Sequence, residues 1–196
     1  MKTIHHLIAA PLTVFATLSC GAAFAQVGTV QRDVNQQTRI EQGLQSGQLS
    51  TREAARLERR EARINTMQSR ALADGKLTDV ERARLNSAQN AQSQAIANAK
   101  HNDVTGNPNS ASSQRMQTDV QRNINQQARI EQGIKSGALT NREVAGLERG
   151  QARVERKEAR AGSDGHVGAA EQARIQGSET RQSKRVYAAK HNARQR

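Results

Sequence analysis

Large apolar residues are sparse along this chain, but they recur at helical spacing. Val30, Val34, Ile40 and Leu44 fall on one stripe at about 3.6 residues per turn, with Gln37 between them. Leu57, Ile64 and Ala71 mark a second helix, and Leu85, Ala88, Ala95, Ile96 and Ala99 a third. The pattern then starts again. Val30-Gln-Arg-Asp-Val-Asn-Gln-Gln-Thr-Arg-Ile-Glu-Gln-Gly43 returns as Val120-Gln-Arg-Asn-Ile-Asn-Gln-Gln-Ala-Arg-Ile-Glu-Gln-Gly133, and the register holds without a gap to Lys100-His101-Asn102 and Lys190-His191-Asn192. Val120, Ile124, Ile130 and Ile134 repeat the first stripe, and Leu147, Val154 and Ala161 the second.

The residues between these stripes punctuate helices. Gly43 and Gly47, with Gly133 and Gly137, are expected to break the first helix of each copy. Ser50-Thr-Arg-Glu53, Thr78-Asp-Val-Glu81 and Thr140-Asn-Arg-Glu143 are capping boxes: a hydroxyl accepts from a backbone N–H and a carboxylate reaches back to the cap residue. Gly168 stands where Thr78 stood, so the sixth helix is expected to fray at its start. A smaller echo, Gly47-x-Leu49-Ser50-x-x-Glu53 against Gly75-x-Leu77-Thr78-x-x-Glu81, points to a building block of turn and helix. The expectation is an all-α fold: a tandem duplication of a three-helix unit around a thin Ala/Leu/Ile/Val core. Residues 1–25 read as a signal peptide, 26–102 as the first helical repeat, 103–115 as a flexible linker rich in Ser and Asn with Gly106 and Pro108, and 116–196 as the second repeat with a basic tail.

Composition tightens this picture. Lys2, an apolar run from Leu7 to Leu18, and Ala23-Phe24-Ala25 describe a secretory signal cleaved before Gln26, too short to serve as a membrane anchor. Leu18-Ser19-Cys20-Gly21 leaves a lipidation reading at Cys20 open, although Thr17 occupies the place where a lipobox has Leu. Cleavage removes the only cysteine, and no disulfide or thiol chemistry remains. Leu, Ile, Val and Phe then make up roughly 15% of the chain, a level also met in unfolded exported polymers. Helical spacing of those residues and modest charge density argue for folding. Halves this thin are expected to pack together, to form a homo-oligomer, or to stay marginal until bound.

The chain carries 30 Lys and Arg against 18 Asp and Glu, a net charge of +12. Arg52, Arg56, Arg59 and Arg63 share one face of the second helix, and Arg149, Arg153, Arg156 and Arg160 form a similar stripe in the second copy. Glu53, Glu58 and Glu61 are expected to lie near that stripe and dilute its field. Arg181, Lys184, Arg185, Lys190, Arg194 and Arg196 face only Glu179 toward the C-terminus. These charges suit an acidic partner. Nucleic acid is disfavoured, because Tyr187 is the single aromatic residue after Gln26 and no named nucleic-acid signature is present.

Two motifs invite a metal reading. Asp74-Gly75 with Glu81, repeated as Asp164-Gly165 with Glu171, resembles the end of an EF-hand loop, but Arg70 and Leu72 stand where the first calcium ligands belong. His101 and His191 each close a third helix, where a cation complements the helix dipole and Asn102 and Asn192 suit the helix end. No nucleophile–base constellation, carboxylate pair tied to a pocket or phosphate loop points to an enzyme, and no cofactor is expected.

Gly-x-Leu-Thr-x-x-Glu followed by a Gln/Asn-rich helix ending in Lys-His-Asn resembles a group of exported bacterial helical proteins of uncharacterised function. The resemblance covers both repeats and implies export and an all-α fold. Leu49-Ser50-x-x-Glu53, Leu77-Thr78-x-x-Glu81 and Leu139-Thr140-x-x-Glu143 are also similar to the Leu-Thr-x-x-Gln motifs of Spy-like periplasmic chaperones and metal-stress proteins, with Glu in place of Gln. The resulting expectation is a non-enzymatic, periplasmic or secreted binding protein of the cell envelope, stress-linked or chaperone-like. Its partner would be an acidic polymer, an envelope component or unfolded protein. The alternative is a cation-binding periplasmic protein using Asp74, Glu81, Asp164, Glu171 and the paired histidines.

Overall fold

The computed structural model describes residues 20–193, with side chains from Gln26 onward; among them it forms six α-helices and no strand. The helices are α1 (Cys20–Gln45), α2 (Thr51–Ala71), α3 (Asp79–Lys100), α4 (Ala111–Lys135), α5 (Asn141–Ala161) and α6 (Ala169–Lys190). The expected signal segment up to residue 19, and Arg194 and Arg196, lie outside the described residues. The expected cleavage point after Ala25 falls within α1, just before the buried Gln26.

Helix ends follow the local chemistry of the sequence. The Glu53 N–H donates to Ser50 Oγ at 3.3 Å while Ser50 N–H donates to Glu53 Oε2 at 3.0 Å. Thr78 with Glu81 and Thr140 with Glu143 repeat the arrangement, each hydroxyl cap being worth about 1 kcal/mol. The sixth helix does not begin later than its counterpart. Gly168 lacks the hydroxyl, but its N–H still donates to Glu171 Oε2 at 2.9 Å. Two ties hold the residue before it: Val167 is fully buried, its N–H donates to Ser112 Oγ, and Arg115 Nη1 donates to its carbonyl at 2.7 Å.

Gly43 proves not to break α1, which continues to Gln45. It is a contact glycine, since a Cβ there would sit 2.6 Å from Leu49 Cδ1. Gly47, at φ +75°, makes the turn.

The buried stripes of α1, α3 and α6 place apolar residues toward both ends and polar ones in the middle, while those of α2 and α5 interleave the two. On α3 the run is Leu85, Gln89, Gln92, Ile96, with Ala88, Ala95 and Ala99 only partly covered. On α1, Val30 and Leu44 bracket Asp33 and Gln37. α1 packs against α4 and α2 against α5, both antiparallel, while α3 and α6 flank the bundle. The apolar ends therefore gather into two cores, each built from both copies. One joins Val30, Leu72 and Leu85 to Ile130, Leu147 and Val186. The other joins Ile40, Leu57 and Ile96 to Met116, Val120 and Ile175. Neither copy closes a core by itself.

The contacts are reciprocal, as in an isologous dimer. Arg52 Nη2 donates to the Asp164 carbonyl and Arg142 Nη2 to the Asp74 carbonyl. The connector is docked rather than loose: Gly106 N–H donates to Gly47 O at 2.8 Å, and a Cβ at Gly106 would meet Leu49 O at 2.2 Å. Residues 111–115, placed in the linker by composition, form the first turn of α4, capped by Ser110.

Candidate functional site

Between the two cores lies a layer of carboxyl and amide side chains. Glu58 and Glu61 on α2, and Glu148, Glu155 and Glu158 on α5, are fully buried. Amides meet them one to one. Gln37 Nε2 donates to Glu58 Oε2, Gln127 Nε2 to Glu148 Oε2, Gln92 Nε2 to Glu61 Oε1 and Asn123 Nδ2 to Glu158 Oε2, at 2.7–3.1 Å. Burial is the main force on these acids, because removal from water penalises the charged form. It raises Asp33, Glu58 and Asp119 to about 7 and Glu148 and Glu179 to about 8. Glu61, Glu155 and Glu158 are pushed well above the ordinary range, first by burial and then by neighbouring carboxylates.

This layer changes the surface. Glu58 and Glu61 do not dilute the arginine stripe, because they point inward with Leu57 while the arginines of α2 point out. Glu53 is buried as well. Burying acids leaves the exterior more basic than the net charge suggests.

The outward faces of α2 and α5, with the start of α3, enclose a groove of about 780 Å³. Six arginines line it: Arg59, Arg63, Arg70, Arg84, Arg156 and Arg160. Its floor is small and apolar, with Ala62, Ala71 and Ala159, and Met67 lies at its edge. Glu81 is the single acid of the lining, and it is held by the Thr78 cap. None of the six guanidinium groups is in an ion pair among the described residues. Arg156 Nη1 donates to Thr66 Oγ1 at 3.1 Å, which fixes it across the helix pair. Arg156 and Arg160 also line a second depression between α5 and α6 with Arg153, Lys157, Arg181 and Arg185. The basic surface is therefore continuous from α2 to α6.

The two stripes expected from sequence are only partly assembled. Arg59, Arg63, Arg156 and Arg160 meet in the groove, and Arg153, Arg181 and Arg185 lie beside the second depression. Arg52 reaches into the turn of the other copy instead, while Arg56, Arg149 and Lys184 are exposed outside both linings. The second stripe is not a register copy of the first, since Arg156 and Arg160 correspond to Thr66 and Arg70. Arg70, Arg84 and Lys157 were missed by reading α2 and α5 separately; only the antiparallel pairing brings them in.

The metal candidates have local employment. Asp74 Oδ1 and Asp164 Oδ1 accept from the N–H groups of Lys76 and His166 at 2.8 Å, closing the turns. Glu81 and Glu171 accept at helix starts. His101 Nδ1 bonds the Ala97 carbonyl, and His191 Nδ1 the Tyr187 carbonyl while stacking on that ring. His101 follows the end of α3 that packs Ile96 into one core, and His191 the end of α6 that packs Val186 into the other, so they are not brought together. Asn102 Nδ2 donates to Glu53 Oε1 and Asn192 Nδ2 to Glu143 Oε1, so each Lys-His-Asn end ties back to a capping box. Among the described residues no group of three or more His, Cys, Asp or Glu is placed to hold a metal ion. No described helix is long and apolar enough to cross a membrane. Comparison of the chain with protein-family models, curated proteins and solved structures finds no match.

Proposed function

We propose that this protein is a non-catalytic binder of a linear polyanion, held along the basic face that runs from the α2–α5 groove onto the α5–α6 depression. One observation carries the reading: six arginines share a groove without carboxylate partners, while the acids of the same helices are turned inside. Guanidinium groups bind oxyanions through paired N–H donors, and their weak hydration lowers the cost of contact. The groove has no aromatic lining for stacking bases, which favours a phosphorylated, sulfated or carboxylated polymer over single-stranded nucleic acid. The secretory features of the N-terminus make the cell envelope the compartment of this reading, with acidic envelope polymers as partners. An unfolded-protein client has less support, because the exposed large apolar residues, Met67, Val80, Val104 and Tyr187, are scattered.

The test is a titration of a fluorescently labelled inorganic polyphosphate with the purified chain at several salt concentrations. The logarithm of affinity should fall linearly with the logarithm of salt, because cations are released as phosphates are neutralised. Monophosphate should compete poorly. No binding at low salt, or salt-independent binding, overturns the reading.

A further inference from the structure

The buried layer has too many acceptors for its donors. Among the described residues of this layer, the buried side-chain atoms without a partner are almost all carboxyl or amide oxygens. Glu58 Oε1, Glu61 Oε2, Glu148 Oε1, Glu155 Oε2 and Glu158 Oε1 lack a donor. So do the amide oxygens of Gln37, Asn65, Gln127 and Gln151, whose NH2 groups each donate elsewhere in the layer. Glu58 and Glu158 moreover repel each other as carboxylates from α2 and α5, a repulsion that a proton on either one removes.

Cations reach this layer only at its rim. Arg32 of α1 lies near Asp33, and Arg60 of α2 near Glu61. Arg122 of α4 pairs with Glu179 of α6 at 2.7 Å and also faces Asp119 of α4. From α3 the layer receives the amides Gln89 and Gln92, and from α6 Gln182 alongside Glu179. The polar groups buried at the centre, on α2 and α5, are acids and amides, set beside the apolar Ile64 and Val154.

We infer that the layer is a proton-binding device: bound protons on its central carboxyls complete the hydrogen bonding between the two copies, and their release at alkaline pH loosens the α2–α5 and α1–α4 seams. A protonated carboxyl turns one acceptor into an O–H donor aimed at a waiting oxygen, and it removes a buried charge in the same step. The chain is thereby built to be firmest in mildly acidic surroundings and to open as the pH rises. The device does not depend on the groove having a ligand.

The infrared spectrum of the purified protein in heavy water tests this. The carbonyl stretch of neutral carboxylic acids should be present near neutrality and vanish on alkaline titration, in step with faster amide exchange in α2 and α5. Replacing Glu58, Glu61, Glu155 and Glu158 by Gln should cut that band strongly while keeping volume and burial, leaving the part carried by acids such as Glu148 and Glu179. If the fourfold variant does not fold, Glu158→Gln alone should weaken the band. A melting temperature falling by ~10 °C or more between about pH 5 and pH 8 is expected. Absence of the neutral-carboxyl band at neutral pH, or a melting temperature that is flat or rising over that range, overturns the inference.

Discussion

Asn65 and Glu155 occupy the same position in the two copies, 90 residues apart, and are hydrogen-bonded to each other, Nδ2 to Oε1 at 2.6 Å. Thr66 and Arg156 stand in the same relation. These pairs mark the approximate two-fold axis that relates the copies. On such an axis identical residues meet themselves, and two glutamates there would oppose like charges. Divergence of one copy to Asn converts the clash into a donor–acceptor pair. Asn65→Asp should undo this, costing about 2–4 kcal/mol at alkaline pH and less in mild acid. Urea melts at both pH values measure it; an equal cost at both would contradict the account.

Linkage gives the acids a definite sign. Glu148 has its carboxyl raised from 4.5 to about 8 by burial, so the folded chain binds its proton more tightly than the unfolded chain. Its contribution is whole below the unfolded value, falls as pH rises between the two, and stays lost above the folded value. Glu148→Gln should therefore leave stability nearly unchanged near pH 5 and raise it by on the order of 2 kcal/mol at pH 8. Chemical denaturation of the pair across pH checks this, and a variant weakened at pH 8 would count against it.

Because each apolar core draws on both copies, a single copy exposes half of each. Residues 26–102 alone should give a coil-like circular dichroism spectrum under conditions where the whole chain is helical. A cooperatively melting helical fragment would show that the copies fold independently.

Glycines separate packing from propensity. Gly43→Ala drives a methyl into Leu49 and should cost about 1–3 kcal/mol. Gly146→Ala, on the exposed side of α5 with nothing within 4 Å, should gain about 0.5–1 kcal/mol. Thermal melts of the two variants should move in opposite directions.

Periodicity and cap chemistry were readable because they are local. Leu57 and Ile64 announce a buried seam, and Ser50 with Glu53 a helix start, whatever the rest of the chain does. Glu58 was misread because acids are normally solvated, and only the partner copy supplies the environment that buries it. A signal was present: Glu58 persists as Glu148 beside the seam, while Arg56 and Arg60 become Gly146 and Gly150. The groove was half legible. Arg59 and Arg63 belong to one stripe, but Arg70 and Arg84 join Arg160 only through the antiparallel docking of α5 on α2, which no single-helix pattern encodes.

The measurement closest to the central claim compares two sets of arginine variants in polyphosphate binding. Changing Arg63, Arg70, Arg84 and Arg160 to Ala should weaken binding at least ~10-fold at low salt and flatten its salt dependence. Changing Arg52, Arg56 and Arg149 to Ala, which removes comparable charge outside the groove, should alter it no more than about two- to threefold. Equal losses from both sets would mean that net charge alone, and not the groove built over the buried acids, holds the polyanion.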